Sequence, residues 1–179
     1  MVKIAIVGIS GSGKTTLAGK VAAKLRIPHV EIDAAFHLEG WEPNPNFLVD
    51  LAARLDTADW VCDGNYRPAE ELVRGSADVI VCFDLPRHLV MRQVIARTIR
   101  RAATREVLWN GNREPRTNFY KWNPEENIIR WTWVYHGHRR QKMLESERTG
   151  AWDHADVVWL RSHAEADAWL DSLPSPPIS

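Results

Sequence analysis

Gly8-Ile9-Ser10-Gly11-Ser12-Gly13-Lys14-Thr15 decides how the rest of the chain is read. Its spacing, G-x-x-x-x-G-K-T, is that of a phosphate-binding loop. Glycines at 8, 11 and 13 permit backbone angles that turn successive N–H groups inward around an anion. The apolar run Val2 to Val7 before it reads as a strand buried on both faces. After it, Leu17, Ala18, Val21, Ala22 and Leu25 recur at helical spacing. That helix would begin at the loop and aim its free N–H groups and positive dipole end at the same anion. The pattern assigns Gly8, Ser10, Gly11, Ser12, Gly13, Lys14, Thr15 and Thr16 to phosphate binding. Lys14 would reach the β- and γ-phosphates of a nucleoside triphosphate, and the Thr15 hydroxyl would bind Mg²⁺.

Working outward, strand and helix signals alternate. Further strands are expected at His29 to Asp33, Trp60 to Asp63, Val79 to Leu85 and Val157 to Leu160. Helices are expected at Phe47 to Leu55, Pro68 to Val73, Leu89 to about 103, Glu125 to about 148 (weakened near Gly137) and Ala164 to Leu170. Five short strands separated by helices predict a parallel sheet in an α/β domain. With the phosphate loop, this gives a P-loop NTPase fold: three layers, α/β/α, around a five-stranded parallel sheet. One domain is expected over 1–173, with a lid insertion at about 104–147 and a frayed tail at 174–179.

The 179 residues are 45% apolar and 26% charged, a globular composition sufficient for one core. No apolar run approaches the roughly 18 residues of a membrane helix, and the N-terminus lacks a signal-peptide pattern. Cys62 and Cys82 sit in apolar runs without metal spacing and read as reduced core thiols. Together these features predict a cytoplasmic protein. The 23 basic and 23 acidic residues cancel, which excludes a uniformly basic nucleic-acid binder. The balance is uneven, however. Arg87 to Arg148 holds twelve Arg and two Lys against six Glu and no Asp, including much of the insertion. An arginine-rich block suits either a phosphorylated ligand or a solvated helix face.

Phosphate binding does not name a reaction. There is no Asn/Thr-Lys-x-Asp for guanine and no Leu-Ser-Gly-Gly-Gln. Asp63 would end a buried strand beside the loop, where a carboxylate holds the Mg²⁺ water shell; before Gly64 it could equally cap a turn. Asp33 would end the second strand at the same sheet edge, as proton acceptor for a substrate hydroxyl or as an N-cap. His136-Gly137-His138 has no neighbouring carboxylate or Cys and does not read as a metal site.

GISGSGKTT, the strand-end Asp33 and Asp63-Gly64-Asn65-Tyr66-Arg67 resemble the nucleoside monophosphate kinase group, which includes adenylate and shikimate kinases. Adenylate kinases carry Asp-Gly-Phe-Pro-Arg at the last of these, so Asp, Gly and Arg match. The resemblance implies Asp63 as Mg²⁺ support, Arg67 at the acceptor, and arginines near the end of the following helix (Arg92, Arg97, Arg100, Arg101) beneath a mobile lid. A closer similarity is to the bacterial adenylate-kinase-related topology modulation proteins. It runs through Asp84-Leu85-Pro86-Arg87, Arg105 to Glu114 with its Asn110-Gly111-Asn112-Arg113, and Leu160-Arg161-Ser162.

The expected activity is ATP- and Mg²⁺-dependent phosphoryl transfer to a small, nucleotide-like metabolite. Lys14, Asp33, Arg67, Arg97, Arg101 and Arg139 form the candidate catalytic set, with Thr15 and Asp63 at the metal. Arg139 is preferred to Arg140, since adjacent helical residues point about 100° apart. Two alternatives stand beside it: a nucleotide-binding regulatory protein with little chemistry, and nucleic-acid binding with Trp109, Tyr120 and Trp122 as stacking platforms.

Overall fold

A computed structural model describes residues 1–174. Strand β1 (Lys3–Gly8) lies at the centre of a five-stranded sheet, between β3 (Trp60–Asp63) and β4 (Val79–Phe83). The edges are β2 (His29–Glu31), beside β3, and β5 (Asp156–Leu160), beside β4. Every pairing is parallel. Successive residues of a strand point to opposite faces, and each face has its own core. On one, Ala5, Val7, Trp60, Cys62, Ile80 and Cys82 pack with Phe47, Leu51 and Leu55 of α3 (Phe47–Leu55) and with Val73 of α4 (Glu70–Arg74). On the other, Ile4, Ile6, Val61, Val81 and Phe83 pack with Leu17, Ala18 and Val21 of α1 (Lys14–Leu25). Val90 of α5 (Arg87–Thr104) and Ala166 of α7 (His163–Ser172) complete that face. Each buried Val, Leu, Ile or Phe among them contributes about 1.5–3 kcal/mol. The result is the three-layer α/β/α P-loop fold. Cys62 and Cys82 are free and buried within it.

Two elements differ from expectation. β2 stops at Glu31, whose partner Asp63 is the last residue of β3. With no ladder left to join, the chain turns at Ile32 into the short helix α2 (Ile32–Phe36). Asp33 therefore sits in the first turn of a helix and not at a strand end. The long helix α6 (Ile128–Arg148) runs unbroken through Gly137. Its packing along α5 and the burial of Thr132 and Met143 outweigh the roughly 1 kcal/mol that a mid-helix glycine costs. Met143 belongs to the core, so the C-terminal part of α6 packs on the body of the domain. Between α5 and α6 the chain is built of 3₁₀ turns, with Asn127 capping α6 by accepting from the amides of Ile129 and Arg130. The expected tail lies outside the described residues except for Pro174. Among the described residues no helix is long and apolar enough to cross a membrane.

Candidate active site

The sheet brings the C-terminal ends of β1, β3 and β4 together, and the loop Gly8–Gly13 crosses above them. Gly11 needs to be glycine. Its φ is +82°, and a Cβ there would stand 2.9 Å from the Cβ of Val94 on α5. The loop is thus pressed against α5, which also carries the arginines. Gly13, in the left-handed region, offers α1 no side-chain cap, so the first-turn amides of that helix are left for an anion. The Lys14 ammonium bonds the carbonyl of Ile9 at 3.2 Å. Burial lowers its pKa, as do Arg97 and Arg139 nearby, while Asp63 and Asp33 pull the other way.

Asp63 is buried and held on both oxygens. The Thr15 hydroxyl donates to Oδ2 at 2.5 Å, and His29 Nε2 lies 2.8 Å from Oδ1. Burial pulls the His29 pKa down, but the contacts with Asp63 outweigh it and the net shift is upward. Thr15 and Asp63 form an all-oxygen pair, the donor chemistry that Mg²⁺ takes, so the residues present fit that ion.

A cleft of about 670 Å³ opens from this point. The loop residues Ser10, Gly11, Gly13, Lys14, Thr15 and Thr16 form its floor, and His163 and Gln93 one wall. Asp33, Arg97, Arg100, Arg101 and Trp109 also line it. Arg97 and Arg101 are four apart on α5 and share a face. Arg101 is neutralised by Glu106 at 3.5 Å and Glu114 at 3.8 Å. The Arg97 guanidinium donates to Ser10 Oγ at 3.1 Å and its Nε has no partner. Burial, with Arg101 beside it, pushes the Arg97 pKa down. It is the less compensated cation, poised for an anionic ligand.

The remaining expected residues fall elsewhere. Gly8 and Ser12 are buried within the loop and do not line the cleft. Arg67 is exposed and also lies outside the cleft lining. Arg139 stands behind the loop, donating to the Asn65 carbonyl at 3.1 Å and lying 4.0 Å from Glu70. Arg140 faces the other way, against Asp84 at 2.8 Å. His136 Nε2 contacts the Leu85 carbonyl, and no cluster of metal-binding side chains occurs among the described residues.

Three residues were missed by sequence reasoning. Asn65 pairs its side-chain amide with the backbone of Gly8 in both directions. His29 orients Asp63, and Glu31 accepts from the Trp109 indole at 2.7 Å. Only the alternation of β2, which turns residues 29 and 31 to one side, hinted at the last two.

No protein-family model matches the chain, and no curated protein matches it. Among solved structures it is similar to a gluconokinase from Sinorhizobium meliloti, at 19% identity and a TM-score of 0.51. That match covers 95% of this chain and 91% of the other. A sugar kinase from Janibacter sp. HTCC2649 also matches, at 15% identity and a TM-score of 0.46, covering 96% of this chain and 91% of that one. What the gluconokinase structure and this chain share is the three-layer α/β/α P-loop fold.

Proposed function

We propose that the protein is an ATP- and Mg²⁺-dependent kinase of a small acceptor carrying a hydroxyl and an anionic group. The observation behind this reading is the convergence of Lys14, Thr15, Asp33 and Arg97 on one cleft, with buried Asp63 hydrogen-bonded to Thr15. The acceptor oxygen would bond to the γ-phosphorus as the bond from that phosphorus to the β–γ bridging oxygen breaks. Asp33 would take the hydroxyl proton, and ADP would leave. Lys14 and the loop amides would stabilise the charge on the phosphates, and Arg97 would meet the transferring group or the acceptor's anion. Thr15 and Asp63 would hold Mg²⁺, which would supply further positive charge against the charge on the phosphates. Arg139, behind the loop, would act by supporting Asn65 and so Gly8.

The sequence resemblance favours a nucleotide-like acceptor. The gluconokinase neighbour is named for a sugar acid, and sugar acids too carry both a hydroxyl and an anion. The test is ADP release from MgATP with separate pools of nucleoside monophosphates, nucleosides, and sugar or hydroxy acids. Stimulation many times over by one pool, absent in Lys14→Ala, is the expected outcome. Lys14→Ala should lose about 10²–10³ in rate. Nucleotide binding with no stimulation by any pool would replace this reading with that of a nucleotide-dependent regulator.

A further inference from the structure

Two turns from distant parts of the chain have the same form and grip each other. His37 to Pro43 and Val107 to Arg113 are each closed by an antiparallel bridge between their end residues. In each, the second amide donates to the carbonyl four positions on: Leu38 to Glu42 and Leu108 to Asn112, both at 2.7 Å. Each contains two successive left-handed residues, Gly40 and Trp41 (φ 73° and 64°) in one, Asn110 and Gly111 (φ 53° and 80°) in the other. Glycine and asparagine accept that conformation readily; tryptophan is strained in it.

Bonds between the turns hold the strained residue. The Trp41 amide donates to Asn112 Oδ1 and its indole to the Arg113 carbonyl, each at 3.0 Å. Asn112 Nδ2 returns a bond to the Leu38 carbonyl at 2.8 Å, and Asn110 Nδ2 donates to the carbonyls of Ala34 and His37. Asn112 is only 5% exposed, so its amide is spent inside this contact. The same lid turn presents Trp109 to the cleft. There Trp109 bonds Glu31, and the Arg101 guanidinium lies 5.8 Å from its ring centroid.

We propose that Asn112 and Trp41 are positioning residues. They latch the lid turn to the turn after α2, so that the two form one wall and fix Trp109 and Arg101 at the acceptor end. This assignment of ends rests on the kinase reading; the latch itself does not. An acceptor then meets a preformed wall, while the donor phosphates lie on the loop floor away from it.

The test uses the full chain labelled with 5-fluorotryptophan, with the Trp41 and Trp109 signals assigned from Trp→Phe variants. In Asn112→Ala both fluorine signals should move towards the solvent-exposed position while that of the core residue Trp60 stays. Exchange of the Trp41 amide should quicken about tenfold or more. An unmoved Trp109 signal, or a Trp41 amide already unprotected in the parent protein, overturns the latch. With gluconate and AMP as acceptor probes, Asn112→Ala should raise the acceptor KM about tenfold and the MgATP KM less than about twofold. Equal rises in both overturn the positioning role. Should Asn112→Ala melt far below the parent, Trp41→Phe, which removes the indole bond and shrinks the ring that meets Trp109 edge-on at 6.3 Å, should quicken exchange of the amide at position 41 and raise the acceptor KM about threefold; the absence of both changes overturns the proposal. If neither probe is phosphorylated by the parent protein, the kinase reading fails in that assay, and the fluorine and exchange results still decide the latch.

Discussion

Two parts of the cleft lining are made of different materials. The floor near α1 is a continuous stretch of backbone, Ser10 to Thr16, with one lysine and one hydroxyl. The rest of the lining is assembled from side chains of three separate segments: Asp33 from α2, Arg97 and Arg101 from α5, and Trp109 from the turns between α5 and α6. Backbone amides recognise a phosphate whatever it is attached to. Side chains brought together from distant positions can discriminate among ligands, and Arg97 ties them to the loop through Ser10.

Asp63 holds Thr15 on one oxygen and meets His29 on the other, so its loss should have the largest effect. Asp63→Asn keeps the shape but removes the charge that Thr15 and His29 share. Phosphoryl transfer should fall about a hundredfold or more, with a much higher Mg²⁺ requirement, as read in a Mg²⁺ titration of ADP release. A rate within about threefold of the parent would move the metal site elsewhere.

Gly11→Ala should come next, and it tests the contact between the loop and α5. The added methyl meets Val94 at 2.9 Å in a left-handed conformation. Such strain costs of order 1–3 kcal/mol, which should appear as a roughly tenfold or greater loss of MgATP affinity by titration calorimetry, with a lowered Tm. Unchanged affinity would mean that the loop adapts and that its backbone is not the rigid cradle described.

This division also decides what the sequence reveals. The loop and its helix were legible because their pattern is local: six of the eight expected loop residues line the cleft, and Gly8 and Ser12 are buried instead. Phe47–Leu55 and Trp60–Asp63 came out with the expected bounds because a periodic apolar face meets a core directly. Asp33 was expected at a strand end because its neighbours alternate, but pairing stops where β3 stops, a fact that lies thirty residues away. Gly137 was read as a weak point because its packing against α5 cannot be seen from its own surroundings. The grip of Asn112 on Trp41 joins residues 71 apart, and no short pattern announces it.

The smallest effect separates two arginines that the sequence treated alike. Arg67 follows a strand-end motif and Arg97 lies in a helix, yet Arg97 lines the cleft and bonds Ser10 while Arg67 is exposed and outside it. Arg97→Ala removes an under-neutralised cation from the acceptor end. It should lower kcat/KM for the acceptor about tenfold to a hundredfold, equivalent to about 1.4–2.7 kcal/mol. Arg67→Ala removes a solvated charge, and its kcat/KM should stay within about twofold, since surface substitutions seldom exceed about 0.5 kcal/mol. Measured side by side on one acceptor, the ratio of the two losses locates the acceptor's anion. A ratio well above one puts it against α5 and Trp109. A ratio near one, with both losses large, means that the acceptor reaches past Asp33 to the turn after β3, and that the far end of the cleft extends further than its walls in the unliganded protein.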